Sequence, residues 1–250
     1  MKIVLSFAFM FILNTTTSWS QVVIDSTTSK KTSCFNYKSF ILPAVMVGYG
    51  IIGLKNHEIQ NINSDTRTEI KEHIDQKLSI DDISQYSPAL AVYGLNALGI
   101  QGKHLFKDRT IVLGTAYLLM AVTVNSFKYT TKVERPDGSS NNSFPSGHTA
   151  TAFLGAEFLY QEYKEVSPWI GIMGYTIATG TGYFRMYNNR HWFSDVIAGA
   201  GIGIGSTKIA YLIYPYLSKL FNTKKMSKNT GLILPFYTKE QSGLCAIFRF

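Results

Sequence analysis

Residues 168–195 read PWIGIMGYTIATGTGYFRMYNNRHWFSD. Pro168 to Phe184 carry no charge, and a helix of that length, at about 1.5 Å per residue, crosses most of a bilayer core. Charge arrives only at its end, as Arg185, then His191, then Asp195, so reactive side chains stand at the mouth of an apolar helix. Working outward, Thr110–Phe127 is a second uncharged run, closed by Lys128, and Gly147–Tyr160 and Val196–Leu217 are two more apolar segments. Phe40–Leu54 and Pro88–Ile100 are shorter, and Ser64–Leu78 is a charged amphipathic stretch with Ile70, Ile74 and Leu78 on one face. Ser87-Pro88 and Ser167-Pro168 each read as an N-cap followed by Pro at the first helical position. Strand signals are confined to Leu232–Phe236 and Cys245–Phe250, which suit a small terminal hairpin. The fold class is all-α.

Composition narrows the functions. The 250 residues suit one domain, with 46% hydrophobic but only 16% charged residues, below the roughly 25% of soluble domains. The net charge of +8 comes with no long basic run and no base-stacking motif. Nucleic acid is therefore excluded as a partner, and a phosphorylated substrate or anionic lipid fits. Cys34 and Cys245 are too few for a disulfide scaffold or a four-thiolate zinc site. Lys2, the apolar run Ile3–Leu13 and the small residues Ser18 and Ser20 read as a secretory signal over 1–20. A polar leader over 21–39, a helical domain over 40–220 and a tail over 221–250 follow. Gly199, Gly201, Gly203 and Gly205 lack the strand and the Gly-Lys-Ser/Thr ending of a nucleotide loop. Small residues at that spacing in an apolar helix are explained by close helix packing.

Chemistry collects at three helix ends: Lys128-x6-Arg135-Pro136, Pro145-Ser146-Gly147-His148 and Arg185-x5-His191-x3-Asp195. Singly, each has a plain structural reading: a Lys that snorkels, a Ser that caps, a His that packs. Together they place three cations, two histidines and a carboxylate on two loops, and chain parity puts both loops on one side of a bundle. Arg135 and Arg185 can fork onto phosphate oxygens, Lys128 adds a point charge, and Ser146-Gly147 opens a helix whose free N–H groups suit an anion. His191 and Asp195, four apart, share a helical face, so the carboxylate can fix the tautomer of a nucleophilic imidazole. His148 is then free to protonate a leaving oxygen. No carboxylate or thiolate cluster with metal-ligand spacing is present, so no metal and no cofactor is expected.

In order and spacing these motifs resemble the phosphatidic acid phosphatase type 2 superfamily, which includes lipid phosphatases, bacterial class A acid phosphatases and vanadium haloperoxidases. Phe184 departs from the pattern, where the family often has Ser. The resemblance implies a bundle with about six core helices and a metal-independent phosphatase. His191 would form a phosphohistidine, Asp195 would orient it, and His148 would act as acid and then base. Lys128, Arg135, Ser146, Gly147 and Arg185 would hold the phosphate.

Relatives with such apolar helices act on lipid phosphates, so the expected partner is a phosphorylated lipid such as lipid A, polyprenyl diphosphate or phosphatidate. Loops opposite the site carry eight Lys and Arg against Lys132 and Arg190 on the site's side, which favours an exported protein with its site facing the periplasm. Low mean hydropathy, +0.04, keeps a soluble periplasmic acid phosphatase open. So does parity, since a cleaved signal and an outward site require that 40–54 or 88–100 not span. A catalytically silent membrane protein is the third reading, disfavoured by three converging cations.

Overall fold

The structure is a computed structural model that describes residues 37–71, 79–221, 230–237 and 242–249. The expected signal segment and most of the leader lie outside them. After a 3-10 turn at Tyr37–Phe40 come α1 (Ile41–Gly53), α2 (His57–Lys71), α3 (Ile80–Ser84), α4 (Ser87–Ala97), α5 (Phe106–Thr131), α6 (Gly147–Tyr163), α7 (Pro168–Tyr187) and α8 (Phe193–Phe221). Two strands, β1 (Thr230–Tyr237) and β2 (Ser242–Arg249), pair antiparallel with Thr230 opposite Arg249.

Six helices make the core. α6 and α8 are its axis; α7 and α4 pack on α6, while α1 and α5 pack on α8. The apolar centre is Val92, Val112, Ala116, Met120, Leu154, Phe158 and Ile202, with Tyr163 closing it by donating its hydroxyl to the carbonyls of Val92 and Ile100, both at 3.0 Å. The glycine spacing of α8 is a packing device. A methyl at Gly199 would stand 2.5 Å from the Ser146 carbonyl oxygen, and one at Gly203 would collide with the Ala150 carbonyl. A Cβ at Gly201 would press on α1 at the Pro43 carbonyl, 2.8 Å away.

Among the described residues, two helices are long and apolar enough to cross a membrane, α5 and α8, or three if the α1–α2 pair, bent by 93°, counts as one broken span. Leu118, Val122 and Tyr129 on α5 and Trp169, Ile172 and Met173 on α7 are exposed. So much outward apolar surface marks a membrane protein. α7 has the length of a span but not the apolarity, because Thr and Gly fill the positions that Leu and Val fill in α5. Neither α1, about 20 Å long, nor α4, about 16 Å, spans a core of about 30 Å by itself. The amphipathic stretch is helical to Lys71, with 72–78 outside the described residues.

Capping differs from expectation at one Ser-Pro pair. Ser167 does precede α7, without a side-chain cap bond. Ser87, however, is already helical, since Tyr86 is the N-cap and the Ser87 hydroxyl donates back to the Ser84 carbonyl at 2.8 Å, joining α3 to α4.

Midway down the bundle, Lys208 Nζ donates to Glu157 Oε1 at 2.8 Å, with the carboxylate buried. Gln161 Nε2 donates to the same oxygen at 2.6 Å, and the Tyr175 hydroxyl donates to Oε2. Removing one partner of a buried pair leaves an uncompensated charge, at about 3–5 kcal/mol. Lys208→Met should therefore lower the unfolding midpoint in detergent more than the double variant Lys208→Met/Glu157→Gln, which thermal unfolding of the three proteins checks.

Candidate active site

Both motif loops emerge at one end of the bundle, and backbone bonds lock them together. Past α5, Lys132 adopts a left-handed conformation (φ 48°) that turns the chain into the α5–α6 loop. That loop folds on itself through Arg135 N–H to Ser140 O and Ser143 N–H to Val133 O, both 2.9 Å, and is anchored by buried Phe144 edge-on to Phe127. Ser146 caps α6, accepting from Thr149 N–H at 3.4 Å, and its own N–H donates to the Asp195 carbonyl at 3.0 Å. Past α7, Asn189 (φ 57°) makes the reverse turn, with Arg190 N–H on the Arg185 carbonyl at 3.0 Å. This turn delivers His191.

His191 is buried, at 3% exposure. Its Nδ1 donates to the Ser143 carbonyl at 2.8 Å, and the Asp195 carboxylate is farther, at 3.7 Å. The Ser143 hydroxyl donates to Asp195 Oδ2 at 2.5 Å, and Trp192 N–H donates to the same oxygen at 3.0 Å. The i,i+4 spacing thus brings His191 and Asp195 together, but the nearest acceptor for the ring is the backbone of Ser143, which the motif reading overlooked. Nδ1 carries the proton, so Nε2 keeps its lone pair. Burial pushes the imidazole down to about 4, opposed by Asp195 and aided by Arg185 and Lys128.

A cleft of about 320 Å³ is lined by Ser79, Asp81, Asp82, Arg135, His148, Arg185, Asn188 and Arg190, and the Arg185 charge also acts on His191. Arg185 and Arg135 each hold a buried Nε with no hydrogen-bond partner among the described residues. Burial first, then the charges of Arg185 and Arg190, lower the pKa of the Arg135 guanidinium. Concentrated positive charge with unmet donors is the environment an anion relieves. Lys128 is turned aside, its Nζ donating to the Asn142 carbonyl at 2.5 Å in a neighbouring pocket. Ser146 is fully buried and faces the protein. Gly147 is uncrowded, since a Cβ there would meet only Val124, at 4.0 Å.

Residues 109–219 match the model of the PAP2 superfamily. Over 160 residues the chain is 44% identical to a lipid A 1-phosphatase of Porphyromonas gingivalis, covering 62% of this chain and 36% of that protein. The chain thus spans about a third of that relative's length. The crystal structure of LpxE from Aquifex aeolicus superposes with a TM-score of 0.46 at 25% identity, over 60% of this chain and 95% of that one. A transmembrane PAP2-type phosphatidylglycerolphosphate phosphatase from Bacillus subtilis superposes at 0.47 with 19% identity, over 76% and 100%.

Beyond the PAP2 motifs, the fold recruits residues whose positions the sequence did not signal. From α2, Asn63 pairs with Ser194, accepting its N–H at 3.0 Å and donating to its hydroxyl at 2.9 Å. One turn on, Arg67 donates to the Pro136 carbonyl (2.6 Å) and to Asn189 Oδ1 (2.9 Å), with its guanidinium over the Trp192 ring. α2 therefore clamps both motif loops. From α3, Asp81 receives Arg185 Nη1 and, at 3.0 Å, Asn188 Nδ2, while Asp82 receives His148 Nε2 at 2.9 Å. The expectation that no carboxylate cluster exists needs correction. Ligand-type atoms of Asp81, Asp82 and His148 lie within 4.8 Å of one another. The Arg185 guanidinium, bound to Asp81 and 4.0 Å from Asp82, already supplies the counter-charge, so the group is an ion-paired network. Only the Asp81-Asp82 doublet itself could have flagged it.

The His191 environment sets a pH dependence of stability. An imidazole near 4 when folded and near 6.5 when unfolded takes up its proton earlier in the unfolded chain. Its contribution is intact above about pH 6.5 and declines as pH falls toward 4. His191→Gln should flatten that decline in urea or thermal titrations between those pH values.

Proposed function

We propose that the chain is a metal-independent phosphatase acting through a phosphohistidine, that its substrate is a lipid phosphate, and that its site faces the periplasm. The observation that carries the chemistry is a buried neutral imidazole, Nδ1 tied to Ser143 and acted on by the charges of Lys128 and of Arg185, which itself lines a cleft where arginine donors stand unmet. Similarity to the lipid A 1-phosphatase and two helices of spanning character support a lipid substrate over a soluble ester. Among the described residues, Lys103, Lys107, Lys164 and Lys219 in and beside the helix connections opposite the motif loops support the periplasmic orientation.

His191 Nε2 attacks phosphorus. The bond from phosphorus to the leaving oxygen breaks, and that oxygen takes its electron pair and a proton from His148. Water then attacks phosphorus and yields a proton to His148; the P–N bond breaks, returning the lone pair to Nε2 and freeing phosphate. Arg135 and Arg185 fork onto the equatorial oxygens, and Lys128 swings from the Asn142 carbonyl to join them. Ser146 holds the first turn of α6, where Gly147 lets the phosphate approach the backbone without a Cβ in the way. Asp195 acts through Ser143 and the Trp192 N–H to keep the His191 loop in place.

Phosphate release from detergent-solubilised lipid phosphates should exceed release from soluble esters, and the reverse preference would favour an acid phosphatase. His191→Ala should remove at least nine-tenths of the rate while its unfolding transition at neutral pH persists, and retention of more than about a tenth would exclude the nucleophile. Activity should survive EDTA and fall with vanadate, a five-coordinate mimic of the phosphoryl transition state, whereas loss in EDTA restored by a divalent ion would refute metal independence.

A further inference from the structure

The two motif histidines are held in opposite ways. His191 gives its Nδ1 proton to a neutral carbonyl and lies 3.7 Å from its carboxylate, whereas His148 makes a direct contact with one, Asp82 Oδ1, at 2.9 Å. The requirements of phosphoryl transfer run the same way, because a nucleophile must be neutral and the acid that meets the leaving oxygen must be protonated. The carboxylate is well placed to be persistent. Asp81, its neighbour, is buried and fastened to Arg185 and Asn188, and the Ser84 hydroxyl pairs with Thr181 at 2.8 Å, so α3 is pinned on α7 at both ends. Asp81 anchors the helix and Asp82 projects from it.

We infer that Asp82 is the positioning residue of His148, holding Nε2–H so that Nδ1 meets the leaving oxygen and stabilising the imidazolium that donates the proton. The inference rests on the phosphatase reading above and extends it to the acid half of the reaction. Of the charged groups lining the cleft, Asp81 and Asp82 from α3 favour protonation of His148 and Arg185 from α7 opposes it, while Arg135 from the α5–α6 loop and Arg190 from the α7–α8 loop complete the lining. Burial, then Arg185, lower the pKa of His148, and Asp82 acts against both. Without Asp82 the ring would keep the opposing charge of Arg185 with only Asp81, itself engaged by Arg185, in its favour.

The test compares wild type with Asp82→Asn in detergent, using p-nitrophenyl phosphate, whose leaving group departs unprotonated, and an alkyl phosphate, whose leaving group must be protonated. Asp82→Asn should cost the alkyl phosphate about tenfold or more in kcat, the aryl phosphate much less, and should move the basic limb of the alkyl profile to lower pH. Equal losses on both substrates would make Asp82 merely structural, and a gain in kcat/KM would make it a plug that substrate displaces; either overturns the inference. NMR titration of the His148 ring gives a readout that needs no turnover: its pKa should fall by about half a unit or more in Asp82→Asn, the scale of a partly exposed ion pair. An unchanged ring pKa defeats the inference even if the enzyme is active, whereas a wild type inert on every phosphate ester defeats the phosphatase reading while the ring titration still decides the pairing.

Discussion

Everything at the site depends on how closely α8 can lie against the first turns of α6. Gly199 and Gly203 let the two backbones touch, since a methyl at either position would run into a carbonyl of Ser146 or Ala150. That approach is what allows Ser146 N–H to reach the Asp195 carbonyl and fixes the end of one motif loop to the end of the other. A larger residue would part the helices and separate the two motif loops. Close packing of small residues is the ordinary means of bringing helices together in a membrane, where lipid offers no hydrophobic drive.

Given that contact, the polar groups sort by environment. His191 and Asp195 are buried, with His191 Nδ1 on the Ser143 carbonyl and Asp195 Oδ2 taking the Ser143 hydroxyl and the Trp192 N–H. The arginines line the cleft with donors unmet. Like charges gathered in this way repel, and the fold holds them because Asp81, Asp137 and the backbone engage one side of each cluster: Asp81 takes Arg185 and Asp137 takes Arg190 at 3.1 Å. The side left open is the side an anion would enter.

The far end of the bundle is closed by a different network. Glu162 accepts from His104 at its backbone N–H (3.0 Å), lies 2.7 Å from the His104 ring, and takes the Tyr211 hydroxyl at 2.6 Å, while Arg109 binds the His104 carbonyl. These bonds tie the α4–α5 connection to α6 and α8, so the two halves of the core are fastened at both ends and through Glu157 and Lys208 in the middle. Buried polar groups in an apolar bundle persist only when satisfied, and here they define how the helices register.

The sequence alone determined the helices and the motif side of the site, because both are local properties. An uncharged run such as Thr110–Phe127 is apolar whatever surrounds it, and the spacing of Lys128, Arg135, His148, Arg185, His191 and Asp195 places them at helix ends before any packing is known. Glu157 and Lys208 each interrupt an apolar helix, and constant rise per residue sets them at similar depth, where the structure pairs them. What only the tertiary structure decided is who partners whom across distant stretches of chain. Ser143 supplies His191 with its acceptor from 48 residues away, Asp81 reaches Arg185 across 104, and Asn63 reaches Ser194 across 131. No periodicity encodes such pairs. They follow from the bend between α1 and α2, from the short α3 and from the glycine contact of α6 with α8, and a side chain's chemistry is set by the neighbour that those non-local contacts bring to it.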